Sequence, residues 1–120
     1  MRIIIAGSRD FNDQKTVDEA VDKFINQLPC SKIQIISGGA RGADRLGENY
    51  ARARHYELKI FPARWDRYGK RAGYIRNEEM AENADALIAF WDGKSPGTKH
   101  MIDIARDKGL NVTVIQGRAT

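Results

Sequence analysis

Five short apolar segments alternate along the chain with longer stretches in which apolar residues recur every three or four positions. The apolar segments lie at residues 2–6, 32–36, 57–61, 86–90 and 111–115. This alternation predicts β-α-β units around a parallel sheet. The first and fourth segments are almost wholly apolar, which is typical of central strands that helices cover on both faces. The other three contain polar residues, and we expect them nearer the edges of the sheet.

Four amphipathic helices are predicted between these strands, because their apolar residues recur at helical spacing. Pro29 helps to end the first helix, and Gly109 ends the last. The apolar positions that mark the four helices, in chain order, are Val17, Val21, Phe24, Ile25 and Leu28; Leu46, Tyr50 and Ala51; Ile75 and Met80; and Met101, Ile104 and Ala105. The pattern predicts one three-layer α/β domain over residues 1–120, with a five-stranded, mostly parallel sheet and helices on both faces.

Ligands of such sheets bind beyond the carboxyl ends of the strands, at the point where the strand order reverses. Four loops follow predicted strands, at residues 7–12, 37–44, 62–69 and 91–98. Three of them contain small residues and hydroxyl groups that let a backbone approach a ligand closely. The sequence therefore predicts a ligand site formed by these loops.

The loop at 37–44 joins a strand to a helix through Gly38, Gly39 and Gly42. The N–H groups at the start of the following helix suit a phosphate group, and the guanidinium of Arg41 can bind phosphate through two hydrogen bonds. The loop is not a Walker A motif or a dinucleotide fingerprint, because the residues that define those motifs are missing. A glycine-rich turn with no ligand is the alternative interpretation.

The loop at 91–98 also ends at a predicted helix, where Ser or Thr is often only a helix cap that contributes about 1 kcal/mol. Arg76 and Asn77, early in the third helix, are placed to reach the mouth of the same crevice. The predicted ligand-binding residues are Gly7, Ser8, Arg9, Ser37, Gly38, Gly39, Arg41, Gly42, Asp44, Arg76, Asn77, Asp92, Ser95, Gly97 and Thr98.

The charge of the chain is concentrated in its middle third. Residues 38–76 contain ten Lys or Arg and four Asp or Glu, a net charge of +6, although the whole chain is only +4. Such a face suits an anion, although a solvated helix surface is equally consistent with it. Within this region, arginines alternate with Trp65 and Tyr68. These aromatic rings would either stack on bases or pack as a lid on the domain.

Few residues are candidates for catalysis or metal binding. Cys30 lies near the end of the first predicted helix, away from the crevice, where a packing role is expected. His55 and His100 have no acids nearby at ligand spacing, so no metal is predicted. The candidates for catalysis are Arg76 and the carboxylates of Asp44, Glu48, Glu79 and Asp92, which could act as acid or base.

Composition narrows the class of protein further. The chain has 120 residues, of which 42% are hydrophobic and 30% are charged, so we expect it to be globular. No apolar run approaches the roughly 20 residues that a membrane span needs, and no secretory leader is recognisable. A single cysteine fits a reducing compartment, so we expect a cytoplasmic protein that does not bind membranes.

Three motifs, in order, resemble the branch of the SLOG superfamily that is related to YspA and YpsA. They are residues 37–44, the string Trp65-x-x-x-Gly69-x-x-Ala72-Gly73-x-x-Arg76-Asn77-x-x-Met80, and residues 84–98. The superfamily joins the Rossmann-like domains of DprA proteins and LOG phosphoribohydrolases. The resemblance implies a bacterial or phage protein that binds a nucleotide or nucleotide-derived ligand, and a homo-oligomer.

The resemblance departs from LOG enzymes at one catalytic position. Those enzymes cleave nucleoside monophosphates with an arginine and a glutamate, and Arg76 matches the arginine motif. The glutamate position is occupied by Met101, which cannot stabilise an oxocarbenium ion or activate water. LOG chemistry would therefore need Glu48, Glu79 or Asp92 as a substitute.

Three functions are consistent with the sequence. The favoured one is binding of a nucleotide-like small molecule, by a sensor, a sequestering protein or a weak enzyme, with no further cofactor. The second is an N-glycosidase that acts on a nucleoside monophosphate. The third, less favoured than small-molecule binding, is single-stranded nucleic-acid binding of the DprA kind.

Overall fold

In a computed structural model, which describes residues 1–29 and 32–116, the five predicted strands form one sheet. Their bounds are β1 Arg2–Gly7, β2 Gln34–Ser37, β3 Glu57–Ile60, β4 Ala86–Trp91 and β5 Asn111–Gln116. The order across the sheet is β3-β2-β1-β4-β5, and every neighbouring pair is parallel. The predicted Rossmann-like α/β fold is confirmed, with a sheet that is wholly rather than mostly parallel.

The position of each strand follows its sequence, with one exception. β1 is the central strand and β4 its neighbour, as their apolar sequences predict, while the more polar β3 and β5 form the two edges. β2 was expected nearer an edge but is an interior strand, as far from an edge as β4. The polar Lys32 precedes this strand, Gln34 only begins it, and the remaining three residues are buried.

Helices connect all the strands. Their bounds are α1 Gln14–Asn26, α2 Ala43–Ala53, α3 Trp65–Tyr68, α4 Ala72–Glu82 and α5 Pro96–Asp107. The one-turn helix α3 and the 3-10 turn Gly69–Arg71 were not predicted, because a single turn is too short to show helical periodicity. Cys30, which was expected near the end of the first helix, lies outside the described residues. None of these helices, in the part of the chain that the structure describes, is long and apolar enough to cross a membrane.

The helices cover the sheet with two separate cores. Alternate residues of a strand face opposite sides, so Ile3 and Ile5 of β1 pack under α1 and α2, and Ile4 packs under α4 and α5. All three isoleucines are fully buried. Asp13 caps α1 by accepting a hydrogen bond from the N–H of Thr16 at 3.1 Å.

The sheet reverses its strand order between β1 and β4. The chain passes outward from β1 to β2 and β3, then returns to the other side of β1 to form β4 and β5. β1 and β4 are paired from Ile3 and Ala86 to Gly7 and Phe90. Beyond these pairs, the loops after β1 and β4 lead to helices on opposite faces, which opens a crevice between them.

Close packing of α2 on β1 depends on Gly47. A Cβ at this position would lie 2.7 Å from Cγ2 and 2.8 Å from Cβ of Ile5. We expect Gly47→Ala to lower the free energy of unfolding by about 1–3 kcal/mol through overpacking, despite the better helix propensity of alanine. Urea unfolding would measure the change.

The matched control is Gly73→Ala in α4. There, the nearest atom to an added Cβ is Cη2 of Trp65, at 3.4 Å, an ordinary contact. Alanine is therefore expected to raise the free energy of unfolding by up to about 1 kcal/mol. Equal stabilisation by both substitutions would contradict the close packing of α2 on β1.

Candidate functional site

The crevice at the reversal point is a cavity of about 210 Å³. Its walls come from the loop after β1, the glycine loop before α2, the segment from α3 to α4, and the start of α5. The residues that line it are Ala6, Gly7, Arg9, Ala40, Asp44, Trp65, Lys70, Gly73, Tyr74, Arg76, Asn77, Met80, Ser95, Gly97, Thr98 and Met101. The crevice therefore lies where the strand topology predicts a ligand site.

A second cavity, of about 450 Å³, adjoins the crevice. We call it the arginine groove, and it is lined by Arg9, Gly38, Gly39, Ala40, Arg41, Pro62, Ala63, Trp65 and Arg76. The two cavities share Arg9, Ala40, Trp65 and Arg76. One ligand can therefore contact both.

Most of the predicted ligand-binding residues line one cavity or the other. Those in the crevice are Gly7, Arg9, Asp44, Arg76, Asn77, Ser95, Gly97 and Thr98. Gly38, Gly39 and Arg41 line the arginine groove. Loops that are far apart in the sequence thus meet at one edge of the sheet, as expected for parallel strands.

Four predicted residues, Ser8, Ser37, Gly42 and Asp92, line neither cavity and support the loops instead. The Ser8 hydroxyl accepts a hydrogen bond from the N–H of Asp92 at 3.2 Å, which joins the loops after β1 and β4. Asp92 in turn accepts hydrogen bonds from the N–H groups of Lys94 and Ser95, both at 2.8 Å. These bonds lower the pKa of the Asp92 carboxyl.

A buried carboxylate holds the glycine loop from behind. Glu48 is 5% exposed and accepts a hydrogen bond from the Ser37 hydroxyl at 2.7 Å. The same hydroxyl accepts a hydrogen bond from the N–H of Gly39 at 3.1 Å. Because its carboxylate is engaged below the loop, Glu48 is placed to fix the shape of the loop rather than to contact a ligand.

With Arg9, Arg76 is one of the two cations that both cavities share. Its guanidinium donates to the carbonyl oxygen of Gly38 and, through Nε, to Oδ1 of Asn77 at 3.2 Å. Burial lowers the pKa of Arg76, and the nearby positive charge of Arg9 acts in the same direction, against the Asp44 carboxylate. In the described part of the chain these bonds use two of the five N–H groups, so the others can bind an anion.

Asp44 is the negative charge at the centre of the site. Its side chain is almost fully buried and accepts a hydrogen bond from the N–H of Ala40 at 3.3 Å. Burial raises the pKa of Asp44 to about 6, although Arg76 and this N–H group favour the ionised form. A Cβ on residue 38 would lie 2.5 Å from Nη1 of Arg76 and 2.8 Å from Oδ2 of Asp44, so glycine leaves room for both groups.

Asn77 connects α4 to α5. Its Nδ2 donates to the carbonyl oxygen of Gly97 at 3.3 Å and lies 3.1 Å from Nδ1 of His100. Since its Oδ1 also accepts a hydrogen bond from Arg76, the amide fixes that guanidinium relative to the start of α5.

Both α2 and α5 begin at the crevice, but the N–H groups near their first turns differ in their partners. At α2, the N–H of Ala43 donates to the carbonyl oxygen of Ser8 at 3.2 Å, and Asp44 accepts the N–H of Ala40. The protein's own oxygens therefore satisfy the first N–H group of α2 and one N–H group of the glycine loop. At α5, Gly97 and Thr98 line the crevice within the first turn, where a helix has no internal acceptors for its N–H groups.

Of the four carboxylates that are candidates for catalysis, one lines a cavity and three do not. Glu79 lies exposed on α4, and neither it nor Glu48 nor Asp92 lines a cavity. Among the described residues, Asp44 is the one carboxylate in the lining of either cavity. Met101, which occupies the glutamate position, is buried in the crevice wall.

The predicted ligand-binding set omitted several lining residues. Trp65, Lys70 and Tyr74 come from the region of alternating arginines and aromatics, which was the available signal in the sequence. Trp65 is 52% exposed at the junction of the two cavities, so it is not packed down as a lid. Ala6 and Met80 form apolar wall, and their sequence pattern is that of ordinary core residues.

The fold and the crevice define a Rossmann-like α/β protein with a candidate ligand site at the reversal point of its sheet. The chain belongs to the YspA, cpYpsA-related SLOG family, whose pattern matches residues 1–68. It is 36% identical over 117 residues to the gene 61 protein of Mycobacterium phage D29, a match that covers 92% of this chain and 93% of the phage protein. No solved structure matches the chain significantly. The predicted family is confirmed, and its match includes the glycine loop but ends before Arg76.

The raised pKa of Asp44 predicts a pH-dependent stability. In the unfolded chain the carboxyl titrates near 3.8, and in the folded protein near 6, so stability is lost as the pH rises between these values. We expect Asp44→Asn to raise the free energy of unfolding at pH 8 by roughly 2–3 kcal/mol, since a neutral amide replaces a buried charge. Urea unfolding at a series of pH values would measure this difference.

The stabilisation should grow between about pH 4 and pH 6 and remain constant above that range. The matched control is Glu79→Gln, on the exposed face of α4, with a change expected within about 0.5 kcal/mol at each pH. An effect of Asp44→Asn that is equal at pH 4 and pH 8 would contradict the assignment to ionisation.

Proposed function

We propose that this protein binds a nucleotide or a nucleotide-derived small molecule across the crevice and the arginine groove. The observation that carries the proposal is that Arg9, from the loop after β1, and Arg76, from α4, line both cavities at the reversal point of the sheet. Membership of the SLOG family supports a nucleotide-related ligand. Nothing in the proposal requires catalysis.

The lining offers a partner for each part of a nucleotide. The N–H groups of Arg76 that remain unused, together with the first turn of α5, suit a phosphate. The exposed ring of Trp65 offers a face on which a base can stack. Met80 and Met101 provide an apolar wall, and Ser95 and Thr98 provide hydroxyl groups for a sugar.

Arg76→Ala tests the proposal most directly. If Arg76 binds a phosphate, we expect the substitution to weaken nucleotide binding by about 1.5–3 kcal/mol, or roughly tenfold to more than a hundredfold. A thermal-shift screen of nucleotides, cyclic nucleotides and ADP-ribose derivatives would find the ligand, and calorimetry would measure its affinity.

Arg106→Ala is the matched control, because Arg106 is exposed in the last turn of α5 and lines neither cavity. It removes the same charge and should leave the affinity unchanged. The proposal would be wrong if no compound in the screen bound to the protein. It would also be wrong if Arg76→Ala bound the ligand as tightly as Arg106→Ala.

A second candidate function is hydrolysis of the N-glycosidic bond of a nucleoside monophosphate. The observation that favours it is Asp44, a buried carboxyl in the crevice whose pKa of about 6 suits general acid–base catalysis. Release of free base by the wild-type protein, abolished in Asp44→Asn, would establish this activity. Binding without release of base would leave small-molecule binding as the function.

A third candidate is binding of single-stranded nucleic acid. It is favoured by the exposure of Trp65 and Tyr68, and by the guanidinium of Arg67 at 5.4 Å from the centre of the Tyr68 ring. Affinity that increased with oligonucleotide length and fell steeply with salt would support it. Equal affinity for a mononucleotide and a long oligonucleotide would exclude it.

A further inference from the structure

The arginine groove is lined by positive charge, which the Asp44 carboxylate of the neighbouring crevice offsets in part, at Arg76. Arg9, Arg41 and Arg76 line it, and among the described residues no carboxylate does. Four of the described arginines outside the groove have acidic partners. Arg54 is 2.7 Å from Asp22, and Arg45 and Arg52 lie within 4 Å of Glu48. The ion pairs within residues 1–29 and 32–116 include none of the three groove arginines.

Arg9 and Arg76 are close enough to repel each other. Both side chains line the crevice and the groove, and the positive charge of Arg9 lowers the pKa of Arg76, whereas the Asp44 carboxylate raises it. Holding like charges together at a partly buried position is unfavourable, and an anion bound between them would remove that cost. The arrangement thus favours a ligand with negative charge in the groove.

The two cavities differ in chemistry. The crevice has an apolar wall, the ring of Tyr74, the hydroxyl groups of Ser95 and Thr98, and one carboxylate beside three cations. The carboxylate is that of Asp44, and the cations are Arg9, Lys70 and Arg76. This mixture suits a nucleoside with one phosphate group better than a concentrated negative charge. The groove has three guanidinium groups, two glycines, and only Pro62, Ala63 and Trp65 as larger apolar surface. The glycines carry no side chain that would fill the groove, and the three guanidinium groups suit a phosphate rather than a base.

The volumes of the two cavities favour a ligand that extends over both. The crevice, at about 210 Å³, is smaller than the roughly 300 Å³ at the lower end of small-molecule sites. The groove adds about 450 Å³ and shares a wall with it. A monophosphate bound at Arg76 would leave the charge of Arg41 without a partner, whereas a second phosphate would extend into the groove.

We propose that the ligand is a nucleotide with two linked phosphate groups, a nucleoside diphosphate or a pyrophosphate-linked nucleotide. One phosphate lies between Arg76 and the start of α5, and the second lies between Arg9 and Arg41 in the groove. This inference rests on the proposed function and specifies its ligand class. Arg41 is then the residue that distinguishes diphosphates from monophosphates.

Calorimetry with paired ligands tests the inference. The mono- and diphosphates of adenosine, guanosine, cytidine and uridine are titrated at constant ionic strength, with a chelator present to keep metal ions off the phosphates. For the base that binds best, we expect the diphosphate to bind at least about tenfold more tightly than the monophosphate. Arg41→Gln should reduce the affinity for the diphosphate more than the affinity for the monophosphate. The ratio of the two dissociation constants is then expected to fall to about threefold or less.

Two further variants sharpen the result. Arg41→Lys keeps the charge but loses the two-bond geometry of a guanidinium, so an intermediate ratio is expected. Arg106→Gln removes an exposed charge outside both cavities and should leave both dissociation constants unchanged. Thermal unfolding of each variant would show that the fold is intact.

The outcomes separate this inference from the proposed function. A monophosphate that binds as tightly as its diphosphate, or a ratio that Arg41→Gln does not change, would overturn the inference and leave nucleotide binding intact. If ADP-ribose derivatives bound and the mono- and diphosphates did not, the inference would hold for pyrophosphate-linked nucleotides. If neither these nucleotides nor any compound of the thermal-shift screen bound, both the inference and the proposed function would be wrong.

Discussion

The parallel hydrogen bonding between β1 and β4 is the constraint on which the candidate site depends. β4 pairs with the side of β1 opposite to β2, so the chain must change direction across the sheet. The ladder continues one residue past β1, where the N–H of Ser8 donates to the carbonyl oxygen of Phe90 at 3.0 Å. The loops are tied together there and separate beyond it, because their helices lie on opposite faces. The crevice is a geometrical consequence of that separation.

Polar groups below the crevice hold its charged groups in place. The Glu48 carboxylate fixes Ser37, and Ser37 fixes the glycine loop through the N–H of Gly39. Arg76 is held from two sides, by that loop and by Asn77. Side chains with several fixed partners lose little further freedom when a ligand binds, so the site is preorganised for an anion. In the lining of the two cavities, the Asp44 carboxylate is the group that would repel an anion. Burial raises its pKa to about 6, so this carboxyl is partly protonated near pH 6.

The fold was predictable from the sequence in most respects, because burial on both faces leaves apolar strands separated by amphipathic helices. The exceptions have local causes. β2 was placed too near an edge because Lys32 was counted within the strand, and α3 was missed because one turn has no period. In the site, Ser8 and Asp92 could not be distinguished by sequence from residues that line a cavity. A polar side chain in a loop has the same sequence signal whether it bonds to backbone or faces a cavity.

The sequence by itself determined the α/β fold, the family, and the location of a candidate site at the ends of the strands. Those properties depend on periodicity and short motifs, which are local. Only the tertiary structure decided that Arg9, Arg41 and Arg76 share one groove, and that Asp44 is the carboxylate in the lining of the cavities described. Charge and burial depend on neighbours that are distant in the chain, and strand order decides which of them meet.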